Sequence, residues 1–115
     1  FDFDWRDTGK HVEMNPAFPN RVNAEFARCL GPDEVEVKVW ERGCGETKAC
    51  GTGACAVVVA GALLDRLPRA LIKVHLPGGD LSIHWNDADR VMMTGPTEAV
   101  CRGIYFADER SMPQS

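Results

Sequence analysis

The sequence predicts an α/β (α+β) fold in which a strongly bent, mostly antiparallel sheet wraps around one central helix. Three observations carry this. Glu34-Val35-Glu36-Val37-Lys38-Val39-Trp40 alternates strictly between polar and apolar residues, the period-two signature of a half-buried strand with Val35, Val37 and Val39 turned inward. Residues 52–66 form a run too long and too uniformly apolar for a strand, and the small residues Ala54, Ala56, Ala60, Gly61 and Ala62 suit close packing. Pro77-Gly78-Gly79-Asp80 and Gly95-Pro96 each separate two short β-prone segments, the pattern of hairpins. A helix that is apolar all round has to be enclosed, so the sheet is expected to bend about it.

Taken in order, residues 1–20, with Gly9, Pro16 and Pro19, read as irregular chain, and Pro19-Asn20 as a turn into a strand over 22–29. The alternating strand over 34–40 comes next, followed by a glycine-punctuated loop and the apolar helix, which must end before Pro68. Val57-Val58-Val59 is the one local signal against that helix. Residues 71–76 and 81–85 make one hairpin, and 91–94 and 100–106 flank the Gly95-Pro96 turn. The expectation is six strands and one central helix. His75 and His84 fall on the polar sides of their strands, and these, like His11, default to the surface.

Length and charge narrow the function. A chain of 115 residues makes one domain with one core. It starts Phe1-Asp2-Phe3, with no basic and then apolar leader, and is read as mature or excised sequence without a signal peptide. The longest uncharged apolar stretch, residues 51–64, is short of the about 20 residues a bilayer-spanning helix needs. The net charge of −4, with Lys and Arg scattered singly, gives no footprint for nucleic acid. A small-molecule ligand is expected, with neither a membrane nor a nucleic-acid partner. Five cysteines, Cys29, Cys44, Cys50, Cys55 and Cys101, make an odd set without C-x-x-C spacing, which suits a reducing cytoplasm better than a disulfide framework. Cys44, Cys50 and Cys55 lack the paired ligand knuckle of structural zinc sites, so no metal is expected.

The chemistry concentrates at the start of the apolar helix. Its first backbone N–H groups, from about Gly51 to Ala54, have no intrahelical partners and carry the positive end of the helix dipole, a ready anion site. Gly51 and Gly53 let an anion approach the backbone, and the same field favours the thiolate form of a cysteine beside it. That cysteine is Cys50, whereas Cys29, Cys55 and Cys101 read as small apolar residues. Gly51-x-Gly53-x-x-Ala56 also matches the letters of a dinucleotide fingerprint, but no strand runs directly into Gly51 and no acid ends the next strand, so that reading fails.

Four stretches carry a family resemblance. Phe18-Pro19-Asn20-Arg21-Val22-Asn23-Ala24-Glu25-Phe26, the string from Glu41-Arg42-Gly43-Cys44-Gly45-Glu46-Thr47 through Lys48-Ala49-Cys50-Gly51-Thr52-Gly53-Ala54-Cys55-Ala56, Leu76-Pro77-Gly78-Gly79 and Met93-Thr94-Gly95-Pro96 resemble, in that order, the C-terminal half of bacterial diaminopimelate epimerases. The likeness runs from about residue 11 to 106, and the E-R-G-x-G-E-T-x-A-C-G-T-G string is its most specific part. It implies one half of a two-domain fold, each half a sheet around a helix, with the site between them. It also implies a cofactor-independent epimerase interconverting LL- and meso-diaminopimelate, an isomerase of lysine biosynthesis acting in the cytoplasm. One cysteine takes the α-proton as thiolate while a second, on the opposite face, donates as thiol.

Residue by residue, the resemblance makes Cys50 one of that catalytic pair and Gly51 and Thr52 the backbone donors to the reacting carboxylate. Asn23 becomes a substrate-binding asparagine, Arg42 the anchor of the distal carboxylate, and Glu41 both a substrate contact and a group that tunes the thiols. Glu46 reads as a structural residue of the loop. The second catalytic motif, Cys-Gly-Asn-Gly, is absent, so the resemblance implies a missing N-terminal domain as partner, against which residues 97–115 would pack, and an inactive isolated half. Val100-Cys101-Arg102-Gly103 stands where the family has Val-Tyr-x-Gly, whose tyrosine is associated with dimer contacts, so a homodimer stays an open partner. Two alternatives stand beside this: a stand-alone carboxylate-binding domain and a homodimeric, racemase-like half.

Overall fold

The structure is a computed structural model and describes residues 1–97 and 99–107. Its elements run α1 (Trp5–Glu13), β1 (Ala24–Gly31), β2 (Glu34–Glu41), β3 (Gly45–Thr47), α2 (Gly51–Leu63), β4 (Leu71–Leu76), β5 (Gly79–Trp85) and β6 (Val91–Thr94). The six strands form one bent, unclosed sheet in the order β1-β2-β4-β5-β6, with β3 attached to β2. Apart from the β2–β4 pair the ladder is antiparallel, as expected.

Strand β2 is the hub. The alternation in its sequence is the alternation of its burial: Val35, Val37 and Val39 are at most 1 % exposed, and with Ala54, Val58, Ile72, Val74 and Ile83 they make the core under α2. Strand β1 covers one edge of β2 from Ala24↔Trp40 to Gly31↔Glu34. The other edge is shared: β3 pairs with Val39, Trp40 and Glu41, and β4 lies parallel to Glu34, Val35 and Glu36. A parallel neighbour requires a crossover, and α2 is that crossover. The hairpin forms where Pro77-Gly78 predicts it, with Leu76 opposite Gly79.

Three expectations are corrected. Residues 1–20 are not irregular, since α1 occupies 5–13. Its Asp4 N-cap accepts from Asp7 N at 3.1 Å, and the buried positions Trp5, Gly9 and Glu13, spaced by four, face the sheet. That face is tryptophan, glycine and glutamate, so it shows no apolar stripe. Gly9 is there because a Cβ would stand 2.7 Å from Trp40 Cβ. Second, residues 100–106 form no strand: Val100, Ile104, Tyr105 and Phe106 are 92, 84, 76 and 90 % exposed, β-prone residues without a ladder to join. The sixth strand is instead the three-residue β3, too short to show a period. Third, α2 is buried or half-buried on most faces but not enclosed all round, since Thr52, Ala56, Ala60 and Leu63 form one exposed stripe. Gly53, Ala54 and Val58 are buried against the sheet, while Leu63 and Leu64 are 69 and 68 % exposed, because the open sheet does not close over them. No helix among the described residues is long and apolar enough to cross a membrane.

On the sheet face away from α2, His75 bridges three strands. Its Nδ1 lies 2.8 Å from Asp80 Oδ1 and its Nε2 3.2 Å from Glu34 Oε2, so both ring nitrogens donate when the ring is charged. Asp80 first and Glu34 second raise the imidazole above its ordinary 6.5. A raised folded value stabilises fully below the unfolded value and is lost as pH climbs through the folded one. The Tm difference between the parent chain and His75→Asn should therefore be largest near pH 6 and shrink towards pH 9. A difference that stays constant across that range would remove His75 from the pH dependence.

Candidate active site

Helix α2 begins at Gly51 because Cys50 caps it. Cys50 is extended, with φ −150° and ψ 98°, and its Sγ accepts from Gly53 N at 3.4 Å, the bond a serine or aspartate oxygen makes at most helix starts. Thr52 Oγ1 lies 3.6 Å from the same sulfur. The sulfur therefore sits among the polar groups that open the helix, in the place of a capping oxygen. The side chain lies deeper than a helix start at an open mouth suggests: Cys50 is 8 % exposed and belongs to the core cluster. Cys55, one turn on, is pushed towards the neutral thiol by burial.

The loop entering Cys50 is braced from two directions. Gly78, at the β4–β5 turn, donates to Lys48 O at 2.7 Å, and a Cβ there would meet that oxygen at 2.9 Å. Glu46 on β3 takes two bonds from Arg6 of α1, at 2.6 and 2.9 Å, which fits the structural role expected for it.

Beside this loop a cavity of about 440 Å³ opens between the start of β1, the turn after β2 and the first turn of α2. Asn23, Arg42 and Thr52 line it, so three of the expected site residues meet there, joined by Arg21, Glu25 and Gly53. Cys50, Gly51 and Glu41 do not line it. Cys50 is joined to the lining through Gly53, whose N–H its sulfur accepts. Gly51 is covered by Met93, whose sulfur and methyl would lie 3.1 Å from an added Cβ, and Glu41 ends β2 opposite Gly45.

The cavity is rich in donors. Asn23 Oδ1 accepts from Arg42 N at 2.7 Å, which commits the oxygen to the protein and leaves the amide NH₂ for a ligand. The amide orientation is thus assigned from its bonding. The Arg42 guanidinium donates to Asn20 O at 3.3 Å and keeps most of its five N–H groups. The turn itself needs glycine: Cys44 N closes on Glu41 O at 3.1 Å, and Gly43 and Gly45 hold φ of 77° and 79°.

Sequence reading passed over Glu25 and Glu13. Burial raises the Glu25 carboxyl above its usual range, and the nearby Glu41 charge adds to this against the pull of Glu25's own N–H. Glu25 Oε1 would stand 2.9 Å from a Cβ on Gly53, and Cys50 Sγ 3.2 Å from it, so only glycine leaves room for both. Glu25 follows Asn23 by two residues, and strand alternation was a signal that they share a face. Glu13 accepts from Trp40 Nε1 at 2.9 Å and from Gly43 N at 3.0 Å. Nothing in the sequence pointed to that pairing across about thirty residues. Among the described residues, no group of three or more His, Cys, Asp or Glu side chains converges to hold a metal ion.

Residues 2–100 match the family model of diaminopimelate epimerase. The chain belongs to the diaminopimelate epimerase family. It is 52 % identical over 99 residues to the diaminopimelate epimerase of Bacillus subtilis (strain 168), covering 85 % of this chain and 35 % of that protein. It is 49 % identical over 108 residues to that of Desulfitobacterium hafniense, covering 94 % of this chain and 38 % of that protein. The chain therefore spans about a third of the length of the curated relatives it matches. Among solved structures it resembles a phenazine biosynthesis protein of the PhzF family from Bacillus anthracis, with a TM-score of 0.57 at 16 % identity over 79 % of this chain and 30 % of that one, a likeness of fold.

Proposed function

We propose that residues 1–115 are the C-terminal domain of a cytoplasmic diaminopimelate epimerase and supply one of its two acid–base thiols. The observation that carries this is the cap of α2: Cys50 Sγ held on the N–H of Gly53, which itself lines the cavity with Arg42, Asn23 and Thr52. A cavity with a guanidinium and an amide NH₂ suits the distal carboxylate of a diaminodicarboxylic acid. The N–H groups of Gly51 and Thr52 suit the carboxylate next to the reacting carbon, where negative charge builds as the proton leaves. Cys50 as thiolate takes the α-proton and becomes a thiol. A second thiol, from the N-terminal domain, delivers a proton to the opposite face and becomes a thiolate. No electrons are exchanged with a partner, the configuration inverts, and no cofactor is called on.

The test is a graft. Residues 1–115 replace the aligned third of the Bacillus subtilis enzyme, and interconversion of LL- and meso-diaminopimelate is followed by chiral chromatography. The graft should turn over and the isolated chain should not. A folded, inactive graft would overturn the assignment, and activity in the isolated chain would favour the homodimeric, racemase-like half.

A further inference from the structure

We infer that Glu13 is a positioning residue for the anion-binding turn: its carboxylate, at the last turn of α1, grips the Gly43 N–H and the Trp40 indole N–H and so fixes where the Arg42 guanidinium stands in the cavity. This rests on the proposed function only in taking Arg42 as the anchor of a substrate carboxylate. Glu13 is 7 % exposed, the one buried charged side chain among the described residues. Each of its oxygens has one partner, Oε1 the indole at 2.9 Å and Oε2 the Gly43 amide at 3.0 Å. Both partners are donors without acceptor capacity, so the site calls for a carboxylate. A glutamine can satisfy one of them and must set its NH₂ against the other. The Gly43 N–H first and the indole second hold the Glu13 carboxyl below its ordinary range, against the opposing effect of burial, so it is ionised at neutral pH.

The geometry explains why this matters at Arg42. Two consecutive backbone N–H groups are held by side chains from two separate parts of the chain, Arg42 N by Asn23, just before β1, and Gly43 N by Glu13 of α1. Gly43 takes its φ of 77° at no steric cost, and one local bond, Cys44 N–H to Glu41 O at 3.1 Å, closes the turn, so the two side-chain clamps are what tie it to the rest of the fold. With the backbone clamped on both sides, only the Arg42 side chain is free to adjust, and it is tethered at its tip to Asn20 O. Glu13 is not needed to anchor α1. Trp5 is buried at the other end of the helix, and Arg6 makes its two bonds to Glu46 there.

The experiment has two arms. In the 115-residue chain, amide exchange followed by NMR should show the Gly43 N–H and the Trp40 indole exchanging at least about tenfold faster in Glu13→Gln, with Ile72 and Ile83 amides unchanged. In the grafted enzyme the same substitution should raise KM for diaminopimelate about tenfold and leave kcat within about twofold. In an Arg42→Lys background it should add nothing, because the effect passes through Arg42. Unchanged exchange at Gly43 and the indole overturns the proposal, as does uniform acceleration across the sheet or an additive effect in the double variant. If the parent graft is inactive, the function assigned above fails, while the exchange arm still decides whether Glu13 holds the turn.

Discussion

Replacing Cys50 by serine in the grafted enzyme should lower kcat by about 10²–10⁴-fold, the range that a positioned acid or base contributes, while KM moves little. The two side chains are close in shape, and serine is among the favoured N-cap residues, so the Gly53 N–H keeps its partner and α2 keeps its start. Stability should hold or rise, which separates this variant from a folding defect. What is lost is the thiol's chemistry: an alcohol is a far weaker acid than a thiol and a poorer proton acceptor than a thiolate. Cys55→Ser and Cys44→Ser are the controls. Burial keeps Cys55 a neutral thiol, and Cys44 is exposed on the turn after β2, so neither should change kcat appreciably. If Cys50→Ser retained most of the activity, the base would have to be another group, and Glu25, whose Oε1 also crowds Gly53, would be the first to replace.

How much of this was legible in the sequence follows from which signals are local. Strand β2 was legible because both of its faces are set by one alternating pattern, and the β4–β5 hairpin because Pro77-Gly78 leaves the chain little choice but to turn. Helix α2 was legible from composition, against the β preference of Val57-Val58-Val59. Helix α1 was not, because its buried face is Trp5, Gly9 and Glu13, and each of those is inward for a tertiary reason: a tryptophan against Phe26, a glycine against Trp40 and a carboxylate receiving two N–H donors. The segment 100–106 failed in the opposite sense. Its residues favour strands, but a strand exists only in a ladder, and none of the described strands offers it one. At the site, Asn23, Arg42 and Thr52 line one cavity, and Cys50, Gly51 and Glu41 do not. The motif names residues and not depth, so it could not show that Cys50 would lie under the surface and Met93 over Gly51.

Ile72→Ala should be the most damaging single core truncation, costing about 2–5 kcal/mol. Ile72 is 0 % exposed in β4, at the middle of the sheet, and sits directly across from Ile83, which is also 0 % exposed. Both side chains point to the α2 side with Val35, Val37 and Val58, so a cavity there would be walled by strands on three sides and could not collapse without shifting the ladder. A domain of this size has about 5–15 kcal/mol of stability to lose, so the effect is a large fraction of the total. The measurement is a urea titration, with the midpoint falling sharply and the slope unchanged. Leu71→Ala is the internal comparison. Leu71 is the adjacent residue, yet it is 61 % exposed on the opposite face, so its truncation should stay within about 0.5 kcal/mol. A one-residue slip of β4 would exchange the two side chains between core and solvent and reverse the order of the two costs. If Leu71→Ala proves the more damaging, the register Leu71↔His84 and Ile72↔Ile83 is wrong, and with it the position of the Pro77-Gly78 turn that braces the loop into Cys50.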